Sequence, residues 1–431
     1  MLSAADNDRM CRVGPGTPQG TAMRRFWLPA LLSSELAAPD CDPVRVQVLG
    51  EDLVAFRDSD GQVGLLDEYC RHRNASLSLG RVEGCGIRCI YHGWKFDRHG
   101  NVMETPNVAD PKFKERFKAK AYPVREVAGM VWTYMGPAEL EPPFPHYAFM
   151  DVPDANRLNA MAVVPCNFVQ VMEGLVDSSH LSVLHTVGLK NTDISQLSFA
   201  TATGHMQFDA APHIEADDTD FGFHYVAIRR VHEAGAERAI ARVAAFQSPC
   251  FVFNPNGDLW FAVVPMNDER AMFFHLWWDA QKKMGEEPLA SEQLRFVGLD
   301  PETLLEWGMT RATVELGNLT PRNGYMQDRE AMRRGHFTGI ANFTQEDAVV
   351  SMSAGALRDR SREMLSVADL AITTLYRTLL KSANAGERGE DPIGLNADVS
   401  HIRGANATLE LGVEWRTLVP EHRLSTAMAA E

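Results

Sequence analysis

No apolar run in this chain approaches the roughly 20 residues that a membrane helix requires. Nor does the N-terminus, Met1-Leu2-Ser3-Ala4-Ala5-Asp6-Asn7-Asp8, offer the basic segment and apolar core of a secretion signal. A protein that stays in the cytoplasm, off the membrane, is therefore expected. Basic residues are outnumbered: 42 Lys and Arg against 57 Asp and Glu leave a formal charge of −15, and no long Lys/Arg cluster stands out. Nucleic acid, which needs a basic face, is excluded as a partner. The 7 cysteines are odd in number and scattered, which argues against a disulfide scaffold and leaves each to be read as chemistry or packing. There is no G-x-G-x-x-G fingerprint for a nicotinamide or flavin, no internal repeat and no low-complexity segment.

What is present is a globular composition, 45% hydrophobic and 23% charged, in 431 residues, a length that ordinarily splits between two cores. Short β-rich stretches at 43–48, 53–57 and 63–66, with the turn Asp58-Ser59-Asp60-Gly61 before the last, predict a small β domain. Gly136-Pro137 and Glu141-Pro142-Pro143-Phe144-Pro145 mark its end. The expected division is residues 1–140, with a core at about 26–136, and residues 141–431. The larger part reads as a helical stretch at about 166–186, then strands at 222–230, 238–246, 250–253, 259–264 and 271–277. A second helical stretch, 347–381, carries Leu365, Ala368, Ala371, Leu375 and Leu379 at helical intervals. That order predicts an α+β fold, a small all-β domain followed by a larger domain of antiparallel sheet and helices. From Ser382 onward Ala, Gly and charged residues dominate, so a poorly ordered or surface-draped tail is expected.

Cys70-Arg71-His72 and Cys89-Ile90-Tyr91-His92 each offer one thiolate and one imidazole from a hairpin-like loop. Such a set holds either a tetrahedral zinc or a [2Fe–2S] cluster with both Cys on one iron and both His on the other. Order separates the two. Zinc fingers usually run Cys, Cys, His, His, whereas here the pairs interleave as Cys-x-His and Cys-x-x-His, the order of a Rieske centre, and Gly93-Trp94 extends the second loop. Cys85 fits neither arm and is read as packing. Neutral imidazoles in place of two thiolates raise the cluster potential and leave ring N–H groups that titrate on reduction. His72 or His92 is thus an exit for the electron.

A second set lies in the helical stretch that opens at Cys166. Asp177 and His180, three apart, share a helix face. His185 is five beyond His180, about 140° away on an ideal helix, so a bulge or break between them is expected to bring both rings to one metal. Two His and one carboxylate with open positions make the facial triad of non-haem Fe(II) oxygenases. The carboxylate must come from elsewhere. Asp347, in Phe343-Thr344-Gln345-Glu346-Asp347-Ala348, is the choice and Glu346 the competitor. On local sequence alone, a helix-start carboxylate serving the helix dipole remains the plain alternative.

The interleaved Cys/His loops, Glu173-Gly174-x-x-Asp177-x-x-His180-x-x-x-x-His185 and the later Gln345-Glu346-Asp347 together resemble the Rieske ring-hydroxylating oxygenases, specifically the phthalate dioxygenase type. Met23-Arg24-Arg25-Phe26-Trp27-x-Pro29 and Gly50-Glu51-Asp52-Leu53-Val54 carry the resemblance across nearly the whole chain. It implies His180, His185 and Asp347 as ligands of a mononuclear Fe(II). It implies that Asp177 links a cluster histidine of an adjacent subunit, chiefly His92, to an iron-ligating histidine of its own chain, within a head-to-tail homotrimer or stacked trimers. Asn167 is implied as a supporting residue near the iron, and Arg229 and Arg242 as a pair that holds substrate carboxylates. The implied activity is that of an oxygenase component using O2 and electrons from a separate NADH-dependent reductase of flavin and ferredoxin type. The implied substrate is an aromatic acid, phthalate- or benzoate-like. O-demethylation of a methoxylated aromatic acid is the alternative on the same site. A Rieske electron carrier without oxygenase activity is the alternative of a different class. The chain departs from the family's pattern at Arg71, where many relatives have Pro, and at Asn74, where they have Gly; neither position is a ligand.

Overall fold

The computed structural model describes residues 2–187, 209–233, 236–255 and 258–419. Three small antiparallel sheets lie ahead of residue 135. The first has the order β1 (Trp27–Leu32), β10 (Met130–Tyr134), β9 (Val124–Val127); the second is β2 (Val44–Val48), β3 (Glu51–Arg57), β4 (Val63–Asp67). The third is β5 (Arg81–Glu83), β6 (Gly86–Arg88), β7 (Lys95–Phe96), β8 (Val102–Glu104), and the two arms of the cluster motif flank its first two strands. A separate small core of Val54, Phe56, Leu66, Leu77, Ile87, Trp94 and Phe96 packs around Cys70 and Cys89.

The larger sheet has eight antiparallel strands in the order β11 (Arg157–Val164), β17 (Arg270–Trp278), β16 (Leu259–Asn267), β15 (Phe251–Phe253), β14 (Ala236–Gln247), β13 (Gly222–Glu233), β12 (His213–Asp218), with β18 (Ala405–Glu410) also pairing with β14. The strands predicted at 222–230, 238–246, 259–264 and 271–277 are all present and each runs longer than its apolar pattern. Helices α1 (Ala4–Cys11), α2 (Pro18–Met23), α3 (Phe168–Val176), α4 (Leu181–Leu184), α5 (Phe343–Ser353) and α6 (Leu370–Arg388) accompany it. No helix among the described residues is long and apolar enough to cross a membrane.

The junction between the small sheets and the large one is hydrogen-bonded backbone. The turn joining β2 to β3 holds Leu49 and Gly50 at φ 51° and 78°, the conformation that a two-residue hairpin turn demands. Their amides donate to β16, Leu49 N to Pro265 O at 2.9 Å and Gly50 N to Met266 O at 2.7 Å. Leu49 is fully buried, so its side-chain packing and this bond offset a backbone geometry that a branched residue disfavours.

Three expectations are corrected. The stretch at 166–186 is two helices, broken at residues 177–180. The stretch at 347–381 is also two, α5 and α6, and the intervening segment leaves Met364 and Val367 more than nine-tenths exposed. Of the residues read as periodic, Ala371, Leu375 and Leu379 lie in α6, whereas Leu365 and Ala368 precede it. Residues beyond Ser382 are no loose tail up to 419: α6 continues to Arg388, β18 joins the sheet, and Trp415 is buried with its indole N–H on Glu215 at 2.8 Å. The small residues that read as disorder are contact surface, since a Cβ at Gly386 would lie 2.9 Å from the α2 backbone at Ala22 N and Pro18 O. Residues 420–431 lie outside the described residues.

Candidate functional site

The two Cys/His loops are closed in the same way. Asn74 N donates to Cys70 O at 2.9 Å, and Gly93 N donates to Cys89 O at 3.0 Å. In each, the residue four after the cysteine takes a left-handed φ, 56° at Asn74 and 76° at Gly93. Asn is the side chain that best tolerates this region after Gly, so the departure from the family's glycine keeps the loop geometry. Cys70 and Cys89 are buried, and burial pushes the Cys70 thiol up to about 11. The rings of His72 and His92 lie 4.4 Å apart, with Trp94 stacked on His72 at 4.7 Å. The Nδ1 atoms of both histidines are buried without a hydrogen-bond partner, an arrangement that an electrophile completes. Among the described residues, the one group that brings three ligand atoms within 4.8 Å of one another is elsewhere. The two thiols and two rings therefore do not converge as a single tetrahedral zinc requires, and they fit a binuclear cluster.

That convergent group is His180, His185 and Asp347. The break that brings the two rings together precedes His180 instead of falling between the histidines. Asp177 C-caps α3, His180 opens the single turn α4, and His185 closes it. Their rings end 5.2 Å apart. Both Nε2 atoms face one oxygen of Asp347, His185 at 3.2 Å and His180 at 3.7 Å. Both Nδ1 atoms face a different carboxylate: His185 meets Glu346 Oε2 at 2.7 Å, and His180 lies 3.5 Å from Asp177 Oδ2. Glu346, considered as a ligand from the sequence, thus stands behind His185, its other oxygen accepting from Thr338 Oγ1 at 2.6 Å. Asp177 is fixed by Ser179, whose backbone N–H and hydroxyl donate at 2.7 and 2.6 Å.

Burial opposes charge on His185, but Asp347 and Glu346 outweigh it and hold the ring up at about 9. Burial likewise works against ionised Asp347, and His185 and His180 hold it below the usual carboxylate range. Although deep in the protein, Asp347 keeps 35% of its side chain accessible, and it lines the cavity beside the histidines. Three neutral or anionic donors with open space in front of them fit a divalent iron.

The cavity is walled by Leu259, Phe261, Phe273 and Phe343, with Arg242, Tyr225, His275 and Trp277 also reaching it. It separates the two arginines singled out in the sequence. Arg242, 2% exposed, lines the cavity, and burial, reinforced by the charge of Arg229, pushes it down to about 9. Arg229 does not line it: its guanidinium donates to Ser178 O at 2.7 Å, Ser178 Oγ at 3.3 Å and Asp209 O at 2.9 Å. It clamps the break on which Asp177 sits. Asn167 is also elsewhere, with Oδ1 capping α3 at Val169 N and Nδ2 donating to Cys11 O and Asp268 O. Those bonds occupy both ends of the amide, so its support for the site is through the start of α3. His275 and Trp277 were not anticipated. The signal was a lone histidine in the apolar run Met272-Phe273-Phe274-His275-Leu276-Trp277.

Residues 26–123 match the Rieske [2Fe-2S] domain, and residues 133–430 match the domain described as LigXa C-terminal domain like. The chain is 36% identical over 427 residues to the phthalate 4,5-dioxygenase oxygenase subunit of Pseudomonas putida, covering 96% of this chain and 94% of that one. It is 31% identical to the 5,5'-dehydrodivanillate O-demethylase oxygenase subunit of Sphingobium sp., covering 92% and 84%. In fold it is similar to the solved structure of Pseudomonas putida CBB5 NdmA, with a TM-score of 0.56, 16% identity, and coverage of 92% and 100%.

Proposed function

This chain belongs to the Rieske non-haem iron oxygenases of the phthalate dioxygenase type, and from that premise we propose that it oxidises an aromatic carboxylic acid in the cavity between α4, α5 and the large sheet. It is the oxygenase subunit of a multicomponent system, an oxidoreductase that incorporates O2 and works with a separate reductase. The reductase we infer is NADH-dependent, of flavin and ferredoxin type. We place the domain boundary near residue 140, between β10 and β11. Cys70, His72, Cys89 and His92 would hold the cluster, and His180, His185 and Asp347 the iron. When bound, the cluster supplies single electrons and the iron activates O2.

The rest is the work of side chains. Glu346 accepts the Nδ1 proton of His185 and so keeps Nε2 turned toward Asp347; Asp177 does the same for His180 over a longer contact. Asp177 is our candidate for the link to His92 of a neighbouring subunit in a head-to-tail trimer. Exposed Ile90 and Tyr91 on the second cluster loop, and Leu79 in the turn that follows the first, support such a contact. Phe261, Phe273 and Phe343 keep water off a bound ring, and Arg242 pairs with its carboxylate.

The observation that carries the reading is the geometry of two imidazole Nε2 atoms aimed at one carboxylate oxygen in a cavity that also holds a buried arginine. Coupled NADH and O2 consumption over a panel of benzoates, phthalates and methoxylated acids tests it, together with iron analysis. Three irons per chain and acid-dependent turnover are expected; two irons and no turnover would leave an electron carrier. O-demethylation is the second reading, favoured by similarity to the dehydrodivanillate O-demethylase subunit.

A further inference from the structure

On β17, Phe273, His275 and Trp277 alternate onto one face, and cross-strand partners Phe261 and Leu259 of β16 join them there. All five line the cavity that holds His180, His185 and Asp347. The wall is aromatic and tightly layered: His275 packs 4.0 Å from Phe273, edge-on to Phe261 at 4.9 Å, and stacked with Trp277 at 5.5 Å. Within it sit two buried polar atoms, His275 Nδ1 and Trp277 Nε1, with no hydrogen-bond partner, in side chains that are each 5% exposed.

Buried polar atoms in folded proteins are overwhelmingly paired, and an indole N–H left unmade in an apolar wall costs stability. Two such atoms, two residues apart on one strand and on the face that bounds the cavity, point to a partner that the cavity admits. We propose that His275 and Trp277 form a polar subsite for a neutral oxygen substituent on the substrate ring, a hydroxyl, methoxyl or carbonyl, separate from the carboxylate assigned to Arg242. The indole can only donate, and a neutral imidazole donates or accepts. A methoxyl or carbonyl oxygen accepts from both; a hydroxyl accepts from Trp277 and donates to His275. The subsite suits an uncharged group. Burial pushes His275 down to about 3, which the Phe273 backbone and the Asp347 carboxylate only partly offset, so the wall carries no positive charge to meet a second carboxylate. The substrate class narrows to aromatic acids that also carry a neutral oxygen. This inference rests on the reading of the cavity as the substrate site.

Equilibrium binding to the iron-loaded oxygenase, read by calorimetry in the absence of electrons, tests it without turnover. The probes are matched pairs, the three methoxybenzoates against the three ethylbenzoates, and the neutral pair anisole and ethylbenzene. At one ring position the methoxy acid should bind about tenfold or more tightly than its ethyl counterpart, the size of one neutral hydrogen bond. Within each variant the methoxy-to-ethyl ratio is the readout: Trp277→Phe and His275→Leu should each reduce the preference, whatever either change does to affinity for the acids as a class. Equal binding of every methoxy and ethyl pair by the wild-type protein overturns the subsite, and so does a preference that survives undiminished in Trp277→Phe. Weak binding of all acids with a kept preference for anisole sinks the carboxylate reading and retains the subsite. Binding of no probe rejects both. The wild-type comparison stands even if a variant fails to fold.

Discussion

Removing the carboxylate of Glu346 should loosen the mononuclear iron and leave the cluster intact. Glu346 Oε2 lies 2.7 Å from His185 Nδ1, both side chains are at most 4% exposed, and Thr338 holds the opposite oxygen. A buried hydrogen bond to a charged group contributes about 1.5–3 kcal/mol. If that energy is expressed mainly when His185 acts as a neutral Nε2 ligand, its loss weakens iron binding by about 10- to 100-fold. Glu346→Gln keeps the acceptor and the shape and should fall at the low end; Glu346→Ala should fall at the high end. The assay is anaerobic Fe(II) titration of protein stripped at the mononuclear site, against a competing chelator. The visible absorption of the cluster in the same cuvette reports that the rest of the chain is loaded and folded. Asp347→Ala should abolish binding at this site. Should Glu346→Ala bind Fe(II) within twofold of wild type, the hydrogen bond does not orient His185 and the reasoning fails.

Protons should compete with the same metal. Metal-free His185 is held up at about 9 against an ordinary value of 6.5, so it is protonated at neutral pH and Fe(II) binding releases one proton. The log of the iron affinity should rise by about one per pH unit up to about pH 9 and then flatten; calorimetry in two buffers of different ionisation enthalpy would reveal zero release if the shift is wrong. The sign for stability is the reverse: the contribution of this raised value to the metal-free protein is complete below about pH 6.5 and fades as the pH climbs through 9. Arg242→Met should raise KM for the aromatic acid with a smaller change in kcat, while Arg229→Met, which releases the Ser178 clamp, should lower kcat with KM little changed. Equal KM effects in both would restore a two-arginine substrate site. Arg360 is fully buried against Glu173 through Nε, alongside Arg358 at 3.0 Å from that carboxylate. Arg360→Met should therefore cost about 3–5 kcal/mol in urea unfolding, and a loss under 1 kcal/mol would mean that Arg358 suffices.

Much of this arrangement was legible because it is local. The interleaved Cys/His loops are short turns whose geometry follows from the spacing and from Asn74 and Gly93. The strands of the large sheet are long apolar alternations, and His180 with His185 pointed to a metal once the family resemblance was added to the residue types. What was hidden depends on distant contacts. The break at 177–180 is held open from β13 by Arg229, so the same residue that looked like a substrate ligand became part of the scaffold under Asp177. Glu346 and Asp347 are neighbours in sequence with opposite duties, and only the fold decides which one turns toward the rings. Asn167 gave no sign that its amide ties α3 to Cys11 and Asp268. Composition misled beyond Ser382, because Ala and Gly serve close helix packing as well as they serve flexibility.

The turn at Leu49 and Gly50 bears on timing. Two backbone hydrogen bonds stitch it to Pro265 and Met266, and Arg311 adds a bond from its guanidinium to Ala30 O at 2.6 Å. These bonds tie the head to the large sheet, which favours a constant separation between the cluster site and the iron site of the same chain. Electron delivery is then expected to be paced by a small movement, such as a flexing of the residue 177–180 turn. Catalysis by this protein should therefore be insensitive to solvent viscosity on the scale that retards tethered, swinging electron carriers.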